Sequence, residues 1–221
     1  MAPMAERAYA IRRQRLWAEF AALYIGVPLA IALFLPPGYL FVALFAFMLA
    51  GMALLWHTGG FDWHSLLRGW SEVRWLRTLT FGLMVGVISW AVMKTANPDF
   101  QINTSPPRLR FLVILWMLYP ILSALPQELI FRVLFYHRYG SLFADARVAL
   151  LVNAAVFAFA HLMYWSGVVT VMTFAGGLAF AWVYLLRGFP AAWLLHAIAG
   201  NVLFTVGMGA YFWSGNVVRP F

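Results

Sequence analysis

Seven apolar stretches, separated by short basic or turn-rich connectors, leave this chain one environment in which to fold. About twenty apolar residues in helical form cross the hydrocarbon core of a bilayer, and backbone groups at that depth must be bonded internally, so the elements are helices. Composition agrees: 64% of the 221 residues are hydrophobic, 10% are charged, and the mean hydropathy is +0.83, far from the balance of water-soluble domains. The expected fold is an all-α polytopic bundle of about seven to eight transmembrane helices with a long or broken fourth helix. It forms a single integral membrane domain over residues 1–221, with no soluble domain beside it.

The net charge of +8 does not point to nucleic acid, because the basic residues are clustered between apolar segments rather than along one surface. Arg7, Arg12, Arg13 and Arg15 precede the first span, Arg68, Arg74 and Arg77 follow the second, Arg138 and Arg147 follow the fourth, and Arg187 follows the sixth. With seven spans all of these fall on one side, opposite Lys94, Arg108, Arg110 and Arg219. The excess of arginine marks that side, with the N-terminus, as cytoplasmic. The absence of cysteine excludes disulfides, thiolate metal sites and cysteine nucleophiles. No Ala-x-Ala cleavage site follows the first apolar run, so it reads as a retained span rather than a signal peptide.

Residues 1–15 read as a basic interfacial lead-in, and residues 16–35 as the first span, carrying Pro28 and closed by the turn Pro36-Pro37-Gly38. Glu19 lies close enough to the interface to reach water and is assigned no chemistry. Residues 39–56 form the second span. From 57 to 77, tryptophans and leucines interleave with charges, as in a helix lying in the headgroup plane, with His57 and His64 wet. A third span covers 76–93, and a proline-broken loop covers 95–110. The fourth element, 111–139, is too long for one straight crossing and is expected to break at Pro120 and Pro126. That would leave Gln127 and Glu128 at a renewed helix N-terminus, where the dipole favours a carboxylate. Such a break survives only against protein or a water-filled cavity. Spans at 148–164, 168–186 and 191–209 complete the bundle. Gly176-Gly177 permits close helix approach, and Tyr211-Phe212-Trp213 forms an interfacial anchor.

Three spans therefore each bring one protonatable group to intramembrane depth: Glu128, His161 and His196. Ionisable side chains there cost several kcal/mol, roughly 2.5 to 3.5 on insertion scales, and mark functional sites. Glu128 and Arg132 share a helix face, which alone is also compatible with an ion pair that glues two helices. A carboxylate and two imidazoles can hold a water and take its proton, the general-base half of hydrolysis. The same set can bind zinc with a fourth position left for water, Glu128 then being a ligand. Asn201, or amides near Gly200, can donate to a developing oxyanion. Two histidines on different helices can also be axial ligands of a b-type haem.

The order Glu128-x-x-x-Arg132, then Phe157-x-x-x-His161, then a helix with His196 and a nearby asparagine, resembles the CPBP family of CAAX-protease and bacteriocin-processing (Abi) intramembrane endopeptidases over roughly residues 110–210. The resemblance implies a helical membrane fold with a hydrophilic cavity open toward the membrane and cytoplasm. It also implies hydrolysis of a membrane-bound or lipid-anchored peptide, the bilayer and that substrate being the partners. It gives Glu128 and His161 the activation of water, His196 and Asn201 the scissile carbonyl and oxyanion, and Arg132 the orientation of Glu128. No cofactor is favoured; zinc on Glu128, His161 and His196 is the metallo-type alternative. A bacterial inner membrane is the expected location, where a prenylated substrate is disfavoured. Two departures stand out. Gln127 occupies the first position of the family's Glu-Glu-x-x-x-Arg, so either Glu128 takes over as base or activity is reduced or lost, leaving a scaffold or immunity protein. Asn201 lies one residue past the family's His-x-x-x-Asn, where Gly200 stands.

Overall fold

The structure, a computed structural model, describes residues 2–220, with side chains from residue 11 onward. The basic lead-in, Arg7 included, thus falls partly outside the described side chains. Seven helices among the described residues are long and apolar enough to cross a membrane: α1 Ile11–Phe34, α2 Pro37–Thr58, α3 Trp75–Ala96, α4 Pro106–Leu142, α5 Ala146–Tyr164, α6 Gly167–Arg187 and α7 Phe189–Val206. No strand accompanies them among the described residues. Each ends where its sequence cannot continue: α1 before Pro36-Pro37, α2 at Gly59 with φ of 73°, and α6 at Gly188 with φ of 82°. Asp145 accepts hydrogen bonds from the amides of Arg147 and Val148 and so starts α5.

The second half of α4 is the axis of the bundle. From Leu129 to Phe135 every residue is buried, whereas the outward faces of α2 and α3, with Val42, Leu76 and Leu83, are exposed as lipid-facing surface is. The pairs α5–α6 and α3–α7 approach through glycine. A Cβ on Gly177 would lie 3.1 Å from the Ala154 backbone, and one on Gly82 would lie 2.8 Å from Ile198. These contacts bring the helices carrying Asn153, Phe180 and His196 around α4.

The expected breaks in α4 are absent. The helix runs on through Pro120 and Pro126 by widening, with i→i+5 turns at Pro120–Ala124 and again at Leu129–Tyr139. Proline has no N–H, so the Trp116 carbonyl loses its intrahelical donor. The Asn201 side-chain amide replaces it at 3.2 Å, and the Trp193 indole N–H donates to the Pro120 carbonyl at 2.8 Å. The neighbouring helix α7 thus bonds the carbonyl that Pro120 releases and adds a second donor to the widened turn. Glu128 therefore lies inside a continuous helix and not at a renewed N-terminus. Pro106-Pro107 begins α4 rather than breaking a loop.

Two further expectations change. Residues 57–77 do not form an interfacial helix, because Gly59, Gly60 and Gly69 adopt positive φ and divide the stretch. It contains only the short 3₁₀ turns Trp63–Leu66 and Trp70–Glu72 before α3 begins. His57 and His64 are exposed, as expected. Glu19 does not simply reach for water: it forms a bidentate ion pair with Arg138 and accepts from the Tyr139 hydroxyl, tying α1 to the end of α4.

Candidate active site

Glu128 is fully buried on α4. One turn on, Arg132 approaches it with Nε at 3.4 Å from Oε2. Arg132 is itself fully buried and donates through Nη1 to Oδ1 of Asn153 on α5 at 2.9 Å. Its guanidinium lies 4.7 Å from the Phe157 ring centroid and 5.8 Å from that of Phe180, a cation–π box that replaces part of its lost hydration. Burying two charges costs several kcal/mol per ion unless their remaining polar atoms are bonded. Here Glu128 Oε2 and Arg132 Nε and Nη2 make no hydrogen bond within the protein. A pair left unsatisfied at this depth calls for an explanation other than stability.

The other carboxylate oxygen, Oε1, lies 2.9 Å from Nδ1 of His196 on α7. The imidazole is stacked on Phe180 at 4.5 Å and set edge-on to Phe157 at 5.7 Å, so its ring plane is fixed. With Nδ1–H donating to the carboxylate, Nε2 carries the lone pair and accepts from the Tyr119 hydroxyl at 3.3 Å. Tyr119 can reach that nitrogen because Gly200, one turn after His196, has no side chain. A Cβ there would lie 2.2 Å from the phenol ring. The result is a chain Arg132–Glu128–His196–Tyr119 running from the sealed centre of the bundle outward.

It ends at a cavity of about 310 Å³ between α1, α2, α4 and the end of α5. Most of its wall is apolar, including Ile31, Leu44, Phe47, Leu115 and Leu118. The polar part of the wall is Tyr119, Ser123 and Gln127, spaced one turn apart along α4, facing His161 and Tyr164. Gln127 donates to Ser123 Oγ at 3.0 Å, which leaves its Oε1 without a partner. His161 sits at the C-terminal end of the regular part of α5, with Nδ1 2.7 Å from the Phe157 carbonyl. That bond makes Nδ1 the protonated nitrogen and leaves Nε2 free as a base. Following the chain through seven crossings puts this cavity in the half of the bundle opposite the arginine-rich N-terminal end.

The residues expected from the sequence thus separate. Glu128, Arg132 and His196 come together. His161 and Gln127 line the cavity, whereas Glu128 does not and connects to it only through His196 and Tyr119. The cavity is largely apolar rather than hydrophilic. Asn201 is buried and donates to the Trp116 carbonyl, which sets its amide at the widened turn of α4 and not on the cavity wall. Among the described residues no three histidine or acidic side chains are grouped so as to hold a metal ion. Glu128 and His196 bond each other instead of converging on a point with His161, so the zinc set does not fit. A haem on His196 does not fit either, since Nδ1, Nε2 and the ring face are all occupied. Asn153 and Tyr119 are the additions. The spacing Asn153, Phe157, His161 points to the first. A phenol one turn before Ser123 and two before Gln127 was the available signal for the second.

Residues 109–203 match the family model described as type II CAAX prenyl endopeptidase Rce1-like. No curated protein and no solved structure matches the chain. The matched segment contains Tyr119, Gln127, Glu128, Arg132, Asn153, His161 and His196.

Proposed function

We propose, from the match of residues 109–203 to the Rce1-like CAAX endopeptidase model, that the chain is an intramembrane endopeptidase whose substrate is a membrane-anchored peptide lying in the largely apolar cavity. A water held between His161 Nε2 and Gln127 Oε1 gives its proton to His161 and attacks the scissile carbonyl carbon. The Tyr119 hydroxyl turns its one proton from His196 Nε2 to the oxyanion that forms and stabilises it by a hydrogen bond. Glu128 holds the His196 tautomer and so keeps the Nε2 lone pair toward the Tyr119 hydroxyl, placing the phenol, and Arg132 and Asn153 hold Glu128 in place. Collapse of the tetrahedral intermediate breaks the C–N bond, and the leaving amine receives the proton from His161. In this reading Glu128 acts on the reaction through His196 and not by direct contact with water.

The observation that supports it most is the polar chain from a sealed ion pair to one phenol at the wall of a cavity that also presents an unengaged imidazole nitrogen. Purified protein in lipid nanodiscs is expected to cleave fluorogenic lipid-anchored peptides, and His161→Ala to stop it while leaving the protein folded. Wild-type protein that binds such peptides but never cleaves them would sink the reading. It would favour instead a peptide-binding scaffold, for which Gln127 in place of a carboxylate on the cavity wall is the supporting feature.

The excess of arginine at the N-terminal end supports a cytoplasmic N-terminus in a bacterial inner membrane. The cavity then lies in the extracytoplasmic half, and the substrate is a peptide presented there. Because the chain has no cysteine, single-cysteine variants report this directly. Ser214→Cys, at the cavity rim, is expected to react with a membrane-impermeant maleimide on intact cells, and Ser141→Cys only after permeabilisation. The reverse pattern would place the cavity on the cytoplasmic side.

A further inference from the structure

A second cavity, of about 460 Å³, lies at the opposite end of the bundle from the first. Three span ends meet there: the start of α1, the end of α2 and the end of α4. That junction is the level at which a bilayer's headgroups sit. Arg12, Arg13, Arg15 and Arg138 line it, and among the described residues Glu19 is its one carboxylate. Glu19 is fully engaged, with both oxygens on Arg138 and one also on the Tyr139 hydroxyl. Arg138 also donates to Thr58 at 2.6 Å, and Arg13 to the Leu142 carbonyl at 2.9 Å. Arg12 and Arg15 have no carboxylate partner among the described residues. Among the described residues, four guanidinium charges against one carboxylate leave three positive charges in a walled site at the span ends.

An array of this kind is not explained by orientation alone. The arginines at 68, 74 and 77 mark the same side but line neither of the two cavities, whereas these close on a cavity with an apolar wall at Leu16. Guanidinium groups bind phosphate oxygens through pairs of N–H donors, and basic pockets between spans on the cytoplasmic side take up acidic headgroups. We propose that this cavity binds the phosphate of an anionic phospholipid headgroup, with Arg12 and Arg15 as the principal contacts and Arg13 and Arg138 at its floor. The bound lipid would brace the end of α4, the helix that carries Glu128 and Arg132.

The shared chemistry is a phosphate oxyanion, so the test separates a lipid source from a soluble one. Delipidated protein in neutral detergent is titrated with phosphatidylglycerol, phosphatidylcholine or inorganic phosphate, with thermal unfolding and native mass spectrometry as readouts. Phosphatidylglycerol is expected to bind selectively, and Arg12→Gln/Arg15→Gln to weaken it roughly tenfold. Arg74→Gln/Arg77→Gln, an equal charge change on the same side, is expected to change it less than about twofold. Equal binding of both lipids, or equal loss in the two double variants, overturns the site. Stabilisation by inorganic phosphate alone to the same extent overturns the lipid assignment.

Discussion

Among the described residues two carboxylate–arginine pairs lie within the spans, and they are built in opposite ways. Glu19 and Arg138, joining α1 to α4, are part-exposed, and the carboxylate is saturated: a bidentate guanidinium and a phenol use both oxygens. Glu128 and Arg132 are fully buried yet loosely joined at 3.4 Å, with one carboxylate oxygen bonded only to an imidazole and the other bonded to nothing. If stability were the purpose of both, the buried pair would be the better bonded, because its desolvation cost is higher. The difference makes Glu19 a tie between helices and, on the proposed mechanism, gives Glu128 a part in the reaction.

The sharpest way to break that contrast is to neutralise each carboxylate. Glu128→Gln is expected to lower turnover by about a thousandfold, and it also leaves Arg132 buried and unpaired, at a cost of about 3–5 kcal/mol. Assay of the folded fraction, together with thermal unfolding, separates the two effects. A retained rate would mean that Glu128 is no more than a tie as well. Next in size is Tyr119→Phe, expected to lower kcat about a hundredfold with KM little changed. Gly200→Ala, whose Cβ would occupy the phenol's place, should reach a similar loss by displacing the same ring. If the alanine variant loses activity and the phenylalanine variant does not, packing and not the hydroxyl is what matters.

Gln127→Glu puts a carboxylate on the cavity wall, where the first acid of the family's motif would stand. It is expected to raise kcat roughly tenfold by supplying a stronger base than the amide; unchanged or reduced turnover would show that the water is not held at that position. The smallest catalytic effect belongs to the other pair. Glu19→Gln should change turnover by less than about twofold and cost about 1–3 kcal/mol of stability, read as a lower unfolding temperature in detergent.

Much of this contrast was legible in the residues. Glu128, Arg132 and His196 announce themselves as polar groups in apolar runs, and Gly176-Gly177 as a point of close approach. Asn201 shows where such reading fails. Its proximity to His196 suggested an oxyanion donor, yet the need for a donor came from elsewhere, from the carbonyl that Pro120 leaves open on α4. Tyr119 failed in the other direction: an aromatic residue in an apolar helix looks like packing until Gly200, on a different helix, is seen to admit it. Glu19 gives no sign of its role in the sequence, because the residues that saturate it are 119 and 120 positions away.

The sequence by itself determined how many times the chain crosses the bilayer, which end is basic, and which spans carry protonatable groups, because these depend on hydrophobic length and on charge counted along the chain. Which of those groups bond each other, which line the cavity and which seal a bend was decided only by tertiary structure. Rotation of a side chain about its helix axis depends on every turn before it. The widened turns of α4, held by Asn201 and Trp193 from α7, reset that rotation in a way no spacing within α4 records.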